Sequence, residues 1–183
     1  MRALLMIVLS SFVFASTAFA AQRDGGPRIR TLDDRTTAMM AAGIARSASF
    51  RALVERVEAS DIVLYVGVGP LLKSGMAGRL TWMTKAGGYR YLRAAINPDQ
   101  SSHQFIACLA HELQHVIEVI ENSNVIDERS LESLYKRIGH RSQADFRAAW
   151  ETVAAQDAAA RVRRELSAQP ATAALRAIDS DKL

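Results

Sequence analysis

Ala107-Cys108-Leu109-Ala110-His111-Glu112-Leu113-Gln114-His115-Val116-Ile117-Glu118 carries two of the chain's four histidines, at the spacing His-Glu-x-x-His. On an α-helix, residues four apart lie about 40° apart around the axis and one turn along it, so His111 and His115 can aim an imidazole nitrogen at one point. A zinc ion would sit at that point. Glu112 lies about 100° round from His111, beside the ion rather than on it, where its carboxylate can take a proton from a bound water. The spacing encodes two ligands and a base. It arises by chance in roughly one chain in a few hundred of this length, so its surroundings carry part of the reading.

Those surroundings favour a helix. Ser101 or Ser102 offers an N-cap after the Asn97-Pro98 turn, and no Gly or Pro interrupts the run to Asn122. Phe105, Ile106, Leu109, Leu113, Val116, Ile117 and Ile120 fall on one broad arc, with His111, His115 and Glu118 opposite. One face would grip the core and the other would line a cleft. The competing expectation is an amphipathic helix whose histidines are polar surface residues, which leaves the base-bearing spacing without a reason.

With these residues the chain resembles the zincin metallopeptidases. The specific motif covers only His111 to His115, and the order of elements from about residue 61 to residue 166 matches more loosely. The resemblance implies a zinc ion, a peptide substrate, and hydrolysis by a metal-activated water with Glu112 as general base. The metzincin continuation is absent: the positions that would hold Gly and His beyond His115 hold Glu118 and Glu121. A gluzincin-type arrangement, with a glutamate as third ligand, stays open.

Two glutamates compete for that role. Glu118 shares a face with His111, but its backbone lies about 10 Å further along the axis, so one regular helix would have to bend three side chains toward one ion. Glu151 falls in an expected helix over 143–166, in line with Ala144, Ala148, Ala155, Ala158 and Val162. A stripe of small residues lets a helix approach its neighbour closely, and a glutamate buried there needs a cation or hydrogen bonds. Glu151 is therefore the preferred third zinc ligand, with Glu118 orienting a histidine. Gluzincin-type enzymes likewise take their third ligand from a glutamate on a later helix. The alternatives are a pair between Glu151 and Arg147, or exposure of the stripe. Cys108, one turn before His111, could also ligate, but burial as a small apolar residue suits it better.

Residues 1–20 read as a secretory signal peptide, with Arg2 as the positive end, Leu4 to Phe14 as the apolar run and Ala18-Phe19-Ala20 as the cleavage site. The apolar run is short for a membrane span, and an uncleaved anchor is the minor alternative. The expected location is the periplasm or the medium. Cleavage leaves 163 of the 183 residues, enough for one domain with a real core. The single cysteine forms no intramolecular disulfide, so stability rests on the core and the metal. A net charge of +4, falling to +3 without Arg2, gives no case for nucleic acid. Gly67-Val68-Gly69-Pro70 lacks the remaining positions of a phosphate loop.

Residues 21–35 read as an extended or mobile arm, with structure beginning afterwards. Thr36 to Ala59 is helical, with a candidate break at Gly43. Asp61 to Gly67 is a strand, and Leu80 to Thr84 and Tyr89 to Asn97 form a hairpin around Gly87-Gly88. Tyr89 to Ile96 is the candidate rim strand to which a peptide substrate would add as a further strand. An internal strand is the equal alternative. A helix from about Ser130 to Ile138 ends at Gly139, and residues 169–183 form a tail. Tyr135, His140 and Tyr89 are residue types able to stabilise an oxyanion.

The expectation is an α+β domain over 36–168, a small sheet or hairpin packed against a metal-bearing helix and further C-terminal helices in a zincin-like arrangement. It would be an exported zinc metallopeptidase acting on peptides through His111, His115, Glu151 and Glu112, with no stable membrane span in the mature chain. The contrasting expectation is a non-catalytic exported domain that uses its metal for folding or for partner binding.

Overall fold

The computed structural model describes residues 26–69, 76–141 and 150–168. The signal peptide, the tail, Pro70, Ala144, Arg147 and Ala148 lie outside them. The described residues form an α+β arrangement: strand β1 (Ile29–Thr31), helices α1 (Asp34–Arg46) and α2 (Ala48–Glu58), strands β2 (Ile62–Val68), β3 (Gly78–Ala86) and β4 (Tyr89–Ile96), helices α3 (Ser102–Ile120) and α4 (Glu128–Ile138), the short strands β5 (His140–Arg141) and β6 (Trp150–Glu151), and helix α5 (Val153–Ala168).

The main sheet runs β1-β2-β4-β3. β1 and β4 pair parallel to β2, and β3 pairs antiparallel to β4. Gly87 and Gly88, at φ 57° and 83°, supply the two left-handed positions that a two-residue hairpin between β3 and β4 requires. β4 is therefore an internal strand, which corrects its reading as a substrate rim. Among the described residues the edge strands are β1 and β3.

Ile62, Leu64, Val66, Leu92, Ala94 and Ile96 alternate onto one face and meet α3 in a single core. Arg90 shares that inward parity and is 3% exposed. Its charge is met by Asp61 through two 2.8 Å bonds and by the carbonyls of Val119 and Asn122 at the end of α3, where helix geometry favours a cation.

Three expectations about boundaries change. The arm is extended but not free, because Ile29–Thr31 joins the sheet and Glu58 accepts hydrogen bonds from the backbone N–H groups of Arg28 and Ile29. The first helical stretch breaks at Ser47, which ends α1 and caps α2 through Phe50 N. Gly43 stays within α1, and its missing side chain leaves room for Phe50, whose ring a Cβ there would meet at 2.7 Å. Of the helix expected over 143–166, residues 143–149 lie outside the described ones, Trp150–Glu151 is a strand, and α5 begins at Val153. The small-residue stripe survives in part: Ala155, Ala158 and Val162 are buried on α5.

Candidate metal centre

α3 starts with a capping box in which Ser101 and Gln104 satisfy each other's backbone N–H. Thirteen of its 19 residues are buried, so it is a central helix rather than one with a single buried face. That corrects the expected division between a core face and a cleft face. Glu112, His115 and Glu118 are 4%, 5% and 6% exposed, while the side chains of His111 and Glu151 keep 17% and 26%. The cluster is closed at His115 and open at His111 and Glu151.

The Nε2 atoms of His111 and His115 stand 3.0 Å apart, and Glu151 Oε2 lies 3.2 Å from His111 Nε2. One ligand atom from each of the three residues falls within 4.8 Å of the others. Glu118 turns to the other nitrogen of His115, with Nδ1 to Oε2 at 2.8 Å. A carboxylate at Nδ1 takes the N–H there, which leaves Nε2 as a bare lone pair. Two imidazole nitrogens facing each other beside a carboxylate need a proton or a cation between them.

The donor set fits a cation. Two imidazole nitrogens and a carboxylate oxygen are ligands that zinc accepts, and a tetrahedral ion with bonds of roughly 2.0–2.1 Å holds its ligand atoms about 3.3 Å apart. Without an ion, burial lowers the proton affinity of His111, but the bond to Glu151 and the charges of Glu112, Glu151 and Glu118 outweigh it and hold the imidazole above its ordinary pKa. Glu151 is held below its ordinary value, chiefly by the His111 bond. A proton and a cation therefore compete for one place.

Glu112 is not one of the three residues of this ligand cluster, although its carboxyl lies close enough to feel the charges of His115 and His111. Burial pushes its carboxyl pKa up against the opposing charges of His115 and His111, and among the described residues Oε2 has no hydrogen-bond partner. A Cβ on Gly78, at the start of β3, would meet Glu112 Oε1 at 2.5 Å and Cys108 Sγ at 2.7 Å. The missing side chain at the mouth of the edge strand is what gives Glu112 its room. Cys108 is buried there, outside the ligand cluster, and burial first and Glu112 second push its thiol pKa up.

Glu151 reaches the cluster by chain reversal. β6 pairs antiparallel with β5, placing Glu151 opposite His140. A Cβ on Gly139 would meet the Tyr135 carbonyl at 2.8 Å and the Glu151 carbonyl at 2.9 Å. The three oxyanion candidates separate. Tyr135 is buried and its hydroxyl donates to the His115 carbonyl at 3.2 Å. Tyr89 accepts from Arg28 Nη2 on the sheet, and only His140 is exposed beside the cluster.

Sequence reasoning missed Thr152. Its hydroxyl donates to Glu118 Oε1 at 2.5 Å and accepts from Ala155 N at 3.1 Å. A threonine three residues before that N–H is an N-cap signal, and it would have started the helix at Val153. A cavity of about 600 Å³ between α2 and α5 is lined by Leu53, Gln114, Ala158 and neighbours, and by none of the cluster residues. Compared with known proteins, the chain matches no family model, no curated protein and no solved structure.

Proposed function

We propose that this chain is an exported zinc metallopeptidase of zincin-like arrangement, holding one ion through His111, His115 and Glu151 and using Glu112 as general base. The observation that carries the reading is the convergence of a His-His-Glu donor set from two separate elements, beside a buried glutamate with one oxygen unpartnered. Zinc bound there would supply Lewis acidity, lowering a water's pKa and polarising a carbonyl.

The chain's own residues supply the rest. His115 is pre-oriented by Glu118, so its lone pair is presented without rearrangement. Glu112, raised in proton affinity by burial in the metal-free chain, suits a group that takes a proton during attack and delivers it to the leaving amine. Its unpartnered Oε2 is the atom available to hold that proton. The substrate backbone would pair with β3, whose outer edge has no partner among the described residues and whose first residue, Gly78, abuts Glu112. His140 is the remaining exposed group able to donate toward a developing oxyanion. Export rests on residues 1–20, and among the described residues no helix is long and apolar enough to cross a membrane.

Glu112→Gln tests this reading. The variant should bind zinc as the wild type does and lose metal-dependent cleavage of a broad library of unstructured peptides. A zinc-loaded wild type that cleaves nothing in that library refutes the peptidase and favours a domain that uses its metal for folding or binding. In that case Glu112 has no work to do.

A further inference from the structure

We infer that Thr152 is a positioning residue for the metal centre, acting on His115 through Glu118 while it fixes the strand that carries Glu151. The inference rests on the metal-binding half of the proposed function and not on peptide hydrolysis. Thr152 is 3% exposed and Glu118 is 6% exposed, so neither can rely on solvent. A carboxylate at that depth needs each oxygen met, and Glu118 divides its two between His115 Nδ1 and the Thr152 hydroxyl. The hydroxyl's single proton goes to Glu118, and its lone pair takes the Ala155 N–H that opens α5. One side chain thereby ties α3 to the start of α5.

Position adds a second consequence. Thr152 follows Glu151 directly, so the bond from Thr152 to Glu118 holds the neighbouring residue at a fixed distance from α3. It also holds Glu118 in the rotamer that keeps the proton on His115 Nδ1 and the lone pair on Nε2. Tyr135, which also reaches this corner, bonds the His115 backbone carbonyl and leaves the ring's tautomer to Glu118. The side chain that sets the tautomer is itself set by Thr152.

The experiment is a double-mutant cycle on zinc affinity, measured by competition with a chromophoric chelator, using Thr152→Val, Glu118→Ala and the pair. Thr152→Val should weaken zinc binding about tenfold, at the low end of what ligand-orienting partners contribute, and should cost little more once Glu118 is absent. Thr152→Ser should restore wild-type affinity. The nitrogen chemical shifts of His115 in metal-free protein should show the Nδ1–H tautomer in wild type and Thr152→Ser, and a mixture in Thr152→Val. If Thr152 only caps α5, Thr152→Val lowers the melting temperature of the metal-free chain but leaves the His115 shifts unchanged. Its effect on zinc then adds to that of Glu118→Ala, and the inference is overturned. A wild type that binds no zinc overturns the metal reading itself, and the positioning role with it.

Discussion

The stretch from His111 to Glu118 and the stretch around Gly139 and Glu151 bring their groups to the same place by different physics. In α3, His111, Glu112, His115 and Glu118 are arranged by helical spacing alone, and a capped, mostly buried helix keeps them so. Glu151 has no such periodicity behind it. It depends on a two-residue strand pair, on the absence of a side chain at Gly139, and on the Thr152 hydroxyl. A site of this kind has one part that local geometry secures and one part that only tertiary contacts secure, and the second part is where substitutions separate binding from folding.

The largest effect expected from breaking this contrast comes from the ligands. Glu151→Ala should weaken zinc binding by more than the roughly 10–100-fold that loss of a ligand-orienting group costs, and Glu118→Ala should fall within that range. The reverse order, read by the same chelator competition, would make Glu118 the ligand and leave His111, Glu112 and His115 in their roles.

A smaller effect comes from the two glycines. Gly139→Ala drives a methyl group into backbone carbonyls of Tyr135 and Glu151, which cannot swing aside, so it should cost about 1–3 kcal/mol of stability and displace Glu151. At Gly78 the obstructing atoms are the ends of Glu112 and Cys108 side chains. Gly78→Ala should therefore leave zinc affinity near wild type and reduce hydrolysis by moving Glu112. Thermal melts with and without zinc check the first, and paired binding and cleavage assays check the second. Equal behaviour of the two variants would erase the distinction between the regions.

The same contrast governs what the sequence disclosed. The motif on α3, the Ser101 cap, strand β2 and the Gly87-Gly88 hairpin could be read because each is written in contiguous residues whose spacing has one good solution. The helical stripe of alanines points to Glu151, and the residue does lie in the cluster, but on β6 rather than on that helix. The stripe from Ala155 to Val162 does pack, and it does so without Glu151. Nothing local marks residues 150–151 as a strand; the pairing with His140–Arg141 and the closeness of Gly139 are tertiary facts. The place of β4 inside the sheet was hidden for a related reason. Tyr89 to Ile96 alternates as an edge strand would, and only the parallel pairing with β2 shows that both of its edges are taken. Arg90, a charged residue on that strand, is buried because Asp61 and the end of α3 receive it.

The claim on which everything else depends is that His111, His115 and Glu151 form one cation site. Its most direct test is the zinc content of the purified chain after loading and desalting, measured by elemental mass spectrometry beside His115→Ala. One zinc per chain in the wild type and none in the variant is the predicted result. A wild type that retains no zinc, or a His115→Ala variant that retains as much, would contradict it.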